Sequence, residues 1–401
     1  MKILFLTDKP SWPPDSGGAI GTGSLVTGLK MLGHKVTMLS VITPKHSFDP
    51  NESLNREFSP DKIVTVEIDT SIKPGKLIVN FIFSRKPYSV TRFDNIIFRD
   101  RLKELLKEDY DVIAFEALNM TNYLGEVRKH FNGLCIYRPH NVENLIWWTL
   151  SNEETNFFKK YFFRVLSKRL LKLESAFINR FDAVTPVSEQ ELEWFMKQGL
   201  AVDSEIIRPG FSIKPSTNGK DEFPYSVGYI GSLDWNPNLH AIDWFCRLVW
   251  PLVNKELPSA TFHIAGRNPS LKVKEGLNGR NIVFHGMVPS STDFIKSISV
   301  VVSPLFSGSG VRIKILEAMS LGKAVVANDI ATTGLNTTPG NEIHTANDPA
   351  GFAERIVFLL NSSESRRMTG DKAQEFIRKN NDILAEATKF VNLVSRLSDG
   401  N

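Results

Sequence analysis

Val300-Val-Val-Ser-Pro-Leu-Phe-Ser-Gly-Ser-Gly-Val-Arg-Ile-Lys-Ile-Leu-Glu-Ala-Met-Ser-Leu-Gly-Lys-Ala-Val-Val-Ala327 reads as buried strand, glycine-rich turn, helix and second buried strand. Val300–Pro304 and Ala324–Ala327 are apolar on both faces, as strands of a parallel sheet covered by helices must be. Between them, Ser307, Gly308, Ser309 and Gly310 place a turn with little side-chain bulk at a helix N-terminus. Free N–H groups and the helix dipole favour a phosphate there, and Gly308 and Gly310 allow close approach to the backbone. On the helix predicted over Val311–Leu321, Lys314 and Glu317 stand three apart and share a face. Lys314 can offset the charge of a diphosphate and Glu317 can accept from ribose hydroxyls. Equally, the two can form a surface ion pair beside a turn that binds nothing; spacing alone leaves both open.

Working outward, strands fit Ser226–Ile230, Thr261–Ala265 and Ile282–Phe284, with helices over Leu239–Lys255 and Ser290–Ser297. Asp348-Pro349 starts a further helix: Asp accepts from free N–H groups, and Pro at the first position loses no bond. The tail from about 363 to 397 reads as two more helices. Upstream, Ile3–Thr7, Lys35–Val41, Val112–Phe115, Leu134–Tyr137 and Ala183–Val187 alternate with helical segments, and Ile206–Ile207 fits a last strand. Gly33 ends the first helix, residues 46–62 read as surface loop, and Trp147–Phe181 reads as helical throughout. A turn-rich segment with Pro209, Gly210, Pro215, Asn218 and Gly219 reads as a linker. The expected organisation is α/β: residues 1–208 as one doubly wound domain, 209–224 as linker and 225–375 as a second. Residues 376–401 are a C-terminal helix returning to the first domain. Ligands of such sheets sit at the strands' carboxyl ends, so two of them are expected to face each other across a binding cleft.

Bulk composition agrees. A chain of 401 residues exceeds one ordinary core, and 42% hydrophobic with 23% charged residues is ordinary for a globular protein. A net charge of +4 singles out neither nucleic acid nor acidic partners. Cys135 and Cys246 lack a pairing framework and read as reduced, which suits the cytoplasm. The opening Met-Lys-Ile-Leu-Phe-Leu-Thr-Asp reads as a strand rather than a signal peptide. The longest apolar runs fall far short of the roughly 20 residues a membrane span needs.

The 300–327 stretch, with Gly231-Ser-Leu-Asp-Trp-Asn-Pro-Asn-Leu-His-Ala-Ile-Asp-Trp-Phe245, resembles the retaining GT4-type glycosyltransferases, the group 1 glycosyl transferases of GT-B fold. The resemblance covers most of 226–335; at the N-terminus Pro13-Pro-Asp-Ser-Gly-Gly18 and Leu29–Val36 fit the same template. It implies two Rossmann-like domains and transfer of a sugar from a nucleotide-diphosphate donor, UDP- or GDP-type, to a glycan or lipid-linked acceptor. Surface polysaccharide or glycoconjugate synthesis is the implied context. Glu317 matches the family's ribose-binding glutamate. The position of the first glutamate of that motif holds Ser309, so backbone groups from Gly308 to Val311, with Gly310 between them, are expected to orient the donor instead. Ser232 stands where the family has Arg, and the downstream Lys is Asn, which leaves Arg312 and Lys314 as the cations for the diphosphate. His140, in Arg138-Pro-His-Asn-Val-Glu143, matches the histidine facing the donor sugar, although a lone His after a strand is often structural. Gly17 and Gly18 either offer N–H groups to the diphosphate or merely turn the chain.

Other chemistries fit less well. Asp109-Tyr-Asp111 resembles a D-x-D metal motif but enters a strand at the end away from the ligand, and no His/Cys/Asp cluster has metal-ligand spacing, so no metal or cofactor is expected. Gly21 and Gly23 do not open a helix in dinucleotide-binding form, and no G-x-S-x-G elbow occurs. Two rivals stay open: a non-catalytic nucleotide-sugar-binding protein, and a nucleotide-sugar epimerase. Residues 151–180 interleave Lys159, Lys160, Arg164, Lys168, Arg169, Lys172 and Arg180 with Phe157, Phe158, Tyr161, Phe162 and Phe163. Such a helix either packs its apolar side on the sheet or lies on anionic lipid at the inner membrane face.

Overall fold

The computed structural model describes residues 1–12, 17–43, 57–213, 222–267, 279–306 and 310–399. The chain forms two units, Met1–Gly210 with Ile383–Asn401, and Phe211–Asp382. Unit 1 is built on a parallel sheet of β1 (Lys2–Thr7), β2 (Lys35–Ile42), β3 (Lys62–Glu67), β4 (Val112–Glu116), β5 (Leu134–Arg138), β6 (Ala183–Val184) and β7 (Asp203–Ser204). Their order is β3-β2-β1-β4-β5-β6-β7. Side chains alternate faces along a strand, and the two cores sort accordingly. Ile3, Phe5, Val112 and Ile136 enter one; Leu4, Leu6, Ile113 and Tyr137 enter the other. Helices α1 (Gly17–Met31), α2 (Pro74–Phe83), α3 (Ile96–Leu105), α4 (Leu124–His130), α5 (Glu143–Glu153), α6 (Phe157–Phe177) and α7 (Glu189–Lys197) connect these strands.

Unit 2 has α8 (Asn236–Trp244), α9 (Trp250–Glu256), α10 (Ser291–Lys296), α11 (Ile313–Ser320), α12 (Pro349–Asn361) and α13 (Ser363–Asn380). Its parallel sheet contains β8 (Ser226–Ile230), β9 (Thr261–Ala265), β10 (Ile282–Gly286), β11 (Val300–Ser303), β12 (Ala324–Ala327) and β13 (His344–Thr345), in the order β10-β9-β8-β11-β12-β13. Asp348 caps α12 by accepting from the N–H groups of Ala350 and Gly351, both at 3.0 Å. The last helix, α14 (Ile383–Asp399), belongs to unit 1. Phe390 stacks on Phe5 with ring centroids 6.5 Å apart. Gly28 makes its crossing with α1 possible: a Cβ there would stand 2.6 Å from the Ala387 Cβ and 2.7 Å from the Ile383 carbonyl oxygen.

Elements depart from expectation where an edge, a cap or a proline decides. β3 is an unexpected edge strand, with Ile63 and Val64 only half-buried. β13 is a second one. β6 stops at Val184 rather than Val187 because Pro186 has no N–H for the ladder. The last strand is β7, just before the expected Ile206–Ile207; Ile207 is buried and its N–H still reaches the Pro186 carbonyl at 3.0 Å. Trp147–Phe181 is not one helix. Asn156 accepts from Phe158 and Lys159 N–H at 3.0 and 3.1 Å and starts α6 afresh. In the expected Leu239–Lys255 helix a π turn, Phe245–Val249, separates α8 from α9, which relieves the backbone at Pro251. The expected boundary at 375/376 falls inside α13, where Phe376 and Ile377 are buried, and the chain leaves unit 2 at Asp382. The linker expected over 209–224 lies partly outside the described residues, and Phe211 and Asp382 form a bridge. Asp111 has a structural use: its carboxylate accepts from the Lys2 N–H at 2.7 Å.

Candidate functional site

Strand order reverses between β1 and β4 in unit 1, and between β8 and β11 in unit 2. Beyond the carboxyl ends at such a switch point the loops diverge and leave a crevice. Gly17 and Gly18 follow β1, His140 follows β5 beside β4, Ser232 follows β8, and Gly310 to Glu317 follow β11.

In unit 1 a carboxylate that the sequence does not single out organises the crevice. Glu116 ends β4 and is 1% exposed. Its Oε1 accepts from Arg138 Nε at 2.6 Å, while Oε2 accepts from Thr22 Oγ1 at 2.9 Å and lies 2.9 Å from His140 Nε2. Burial would push this carboxyl up; the Arg138 charge and the bonds from His140 and Thr22 outweigh it and hold it down at about 2. An ionised carboxylate only accepts, so the His140 proton is assigned to Nε2, and Nδ1 lies near α1, 4.0 Å from where a Cβ on Gly21 would be. Adjacent strands carry the missed signal: the apolar runs of β4 and β5 end on Glu116 and Arg138, which are register partners.

Gly17 opens α1, and a Cβ at Gly18 would come within 2.6 Å of Lys9 Nζ. The Lys9 ammonium thus lies at the first turn of α1, where an anion would also meet free N–H groups. The loop bearing His140 is fixed from behind by Glu174 of α6, which accepts from the N–H of Glu143 at 2.8 Å, the N–H of Asn144 at 3.2 Å and the Asn144 amide at 2.7 Å. Burial, only partly offset by these bonds, raises the Glu174 carboxyl to about 7. Glu143 is likewise raised to about 7, by burial and then by repulsion from Glu174 and Asp8.

In unit 2, Ser307, Gly308 and Ser309 lie outside the described residues; Gly310, with φ +84, Val311 and Arg312 lead into α11. Burial lowers the Arg312 guanidinium below its ordinary value, opposed by the Tyr229 hydroxyl on β8. Arg312 stands at the N-cap of α11, the helix that follows β11. Lys314 and Glu317 do share a face, and they meet: Lys314 Nζ donates to Glu317 Oε2 at 2.8 Å. The other carboxylate oxygen accepts from Ser291 Oγ of α10 at 2.5 Å. Glu317 is 7% exposed, which sets it apart from a solvated surface pair. Ser291, unmarked in the sequence, orients it.

Ser232 follows β8 and donates through Oγ to Asp234 Oδ1 at 2.9 Å. Its loop is pressed onto the loop after β9, where a Cβ on Gly266 would stand 2.0 Å from the Gly231 carbonyl oxygen. Asn328, at the end of β12, accepts from the Leu305 N–H at 3.0 Å and donates to the Leu305 carbonyl at 2.5 Å, anchoring the start of the 304–312 loop. In unit 1 His140 meets Glu116 and comes close to α1, which Gly17 and Gly18 open. In unit 2 Lys314 meets Glu317, Gly310, Val311 and Arg312 lead into the same helix, and Ser232 bonds to Asp234 within its own loop.

Comparison with known proteins agrees with the resemblance read from Gly231–Phe245 and 300–327. Residues 224–362 match the family model described as Glycosyl transferases group 1. Over 395 residues the chain is 25% identical to an uncharacterized 44.6 kDa protein in the cps region of Klebsiella pneumoniae, covering 95% of this chain and 96% of that one. In three dimensions it resembles sucrose-phosphate synthase from Thermosynechococcus elongatus, with TM-score 0.71, 17% identity and 100% of both chains covered. It also resembles HepE of Anabaena in complex with UDP-glucose, with TM-score 0.66 and 14% identity over 99% of this chain and 100% of that one. The fold is that of the GT-B glycosyltransferases.

Proposed function

We propose that this chain, a GT-B fold whose 224–362 segment matches the group 1 glycosyl transferases, moves a sugar from a nucleoside-diphosphate donor of UDP or GDP type onto a glycan or lipid-linked acceptor, with retention of configuration. The observation that carries the reading is the Ser291–Glu317–Lys314 array on α11, with Arg312 at that helix's N-cap: a buried carboxylate and two cations on or beside one helix. A ribose diol is recognised by a fixed carboxylate, and a diphosphate by a helix N-terminus with neighbouring cations. HepE binds UDP-glucose in a fold of this kind, and the Klebsiella relative lies in a cps region, which supports a UDP-type donor and polysaccharide assembly.

In the proposed reaction the bond from the anomeric carbon to the diphosphate oxygen breaks, and a bond to the acceptor hydroxyl oxygen forms on the same face. The acceptor proton passes to the leaving diphosphate, whose growing charge Arg312 and Lys314 offset. His140, held on Glu116, positions the donor sugar. No metal is required in this scheme because these side chains and the backbone N–H groups answer the negative charge; transfer is expected to survive a chelator unchanged.

The test is a calorimetric screen of nucleoside diphosphates and their sugars, followed by turnover of the tightest donor with candidate acceptors. Transfer supports the reading. Epimerised donor, or tight binding without turnover across the acceptors, would replace it with one of the two rivals.

A further inference from the structure

Helix α2 is apolar and yet has no buried residue. Ile78, Val79, Ile82 and Phe83 are 57–81% exposed, and the first turns of α6 add Phe157, Phe158 and Tyr161 at 59–79%. Single exposed apolar side chains are ordinary; a cluster on two touching helices is not. The helices are clamped together. Arg169 of α6 donates to the Phe81 carbonyl at 2.6 Å and to that of Asn80 at 3.4 Å, its guanidinium lies 5.1 Å over the Phe81 ring, and Phe81 meets Phe162 at 5.2 Å between centroids. Phe158 lies one helical turn before Phe162, so the exposed ends of both helices form one surface.

Basic charge dominates this surface, with carboxylates only at its margins: Asp69, paired with Lys73 at 2.9 Å, and Glu153 and Glu154, just before α6. Residues 70–93 and 155–173 contain no Asp or Glu, yet carry five and six basic residues respectively. Lys76, Arg85, Lys86, Lys159 and Arg164 among them are exposed. Among the described residues no helix is long and apolar enough to cross a membrane. Aromatic and aliphatic tips set among dispersed bases match the boundary between acyl chains and anionic headgroups.

We propose that α2 and the N-terminal half of α6 form a docking surface for an anionic lipid bilayer, with Phe83, Phe157 and Phe158 entering the headgroup boundary and the bases meeting lipid phosphates. The sequence points to α6 alone; α2 is the larger apolar contributor. This docking is independent of the proposed transfer.

Sedimentation of the full chain with vesicles of phosphatidylglycerol and phosphatidylcholine in equal parts tests it, with phosphatidylcholine vesicles as reference. Binding is expected to the anionic vesicles, and to fall about tenfold or more in Phe83→Ser/Phe158→Ser and in Lys86→Glu/Lys159→Glu. All four side chains point into solvent, so folding should survive, and circular dichroism checks it. Met287→Ser, equally exposed but in unit 2, should bind as the parent does. Absence of binding to anionic vesicles overturns the proposal, as does binding that both double variants retain. So does a concentration-dependent dimer, with no vesicle binding, that Phe83→Ser/Phe158→Ser dissolves, since a second copy would then cover the surface.

Discussion

Glu116 serves three donors with two oxygens, and removing its charge strands Arg138 in an environment that excludes water. Glu116→Gln is expected to lower unfolding stability by about 3 kcal/mol in denaturant titration, because a buried guanidinium loses its counter-charge. Transfer should fall further than stability explains, since His140 loses its fixed proton acceptor, while nucleotide affinity stays unchanged in calorimetry. Glu317→Ala is expected to do the reverse, weakening nucleotide binding about tenfold, with Ser291→Ala giving a smaller loss in the same direction. An unchanged affinity in Glu317→Ala would remove its ribose role. At this scale local spacing pointed to the Lys314–Glu317 pair, and only the family resemblance singled out His140 and the ribose role of Glu317. The sequence concealed Glu116, Thr22, Ser291 and Glu174, whose partners lie 22 to 94 positions away in the chain.

Helix α5 has Val142 at its N-cap, whose apolar side chain cannot accept a hydrogen bond, and borrows the Glu174 carboxylate instead. That carboxyl, and Glu191 on α7, are raised by burial to about 7 from 4.5. Between those values the folded chain binds protons that the unfolded chain releases, so stability falls as pH rises through the interval. Glu174→Gln, neutral throughout, isolates this contribution: the thermal midpoint of the parent relative to that variant should fall between about pH 5 and about pH 8. A parent-minus-variant difference that climbs over this range would contradict the assignment. The depressed Glu116 acts in the opposite direction below 4.5, and His34, His263, His285 and His344, which burial lowers from 6.5, do so below 6.5. Elements were legible in proportion to burial. β8, β9 and β12 are short apolar runs that match expectation residue for residue, whereas β3 and β13 sit at sheet edges where little apolar signal is required. The break before α6 depends on one asparagine cap inside a continuous helical pattern.

At the scale of the molecule, both Rossmann-like sheets follow from the alternation of buried strands and helices, and the carboxyl-end location of the singled-out residues follows from strand order. What the sequence could not give was the point where the chain leaves unit 2, because α13 and α14 are separated only by a short bridge at Asn381 and Asp382. A chain ending at Asp382 would lose the buried Ala387, Phe390, Leu393 and Val394 from the core beneath β1. At about 1.5–3 kcal/mol for each large apolar side chain, that loss is comparable with the whole stability of a domain. Deletion of 383–401 is expected to abolish protection of the β1 and β4 amides in hydrogen exchange while those of β8 and β11 stay protected. The same return of the C terminus orders events during synthesis. Residues 211–382 are complete when the ribosome has passed them, whereas the strands made first must wait, half-covered, for the final helix to emerge. The half made second can finish folding first, and the nascent N-terminal half is the part most dependent on chaperones.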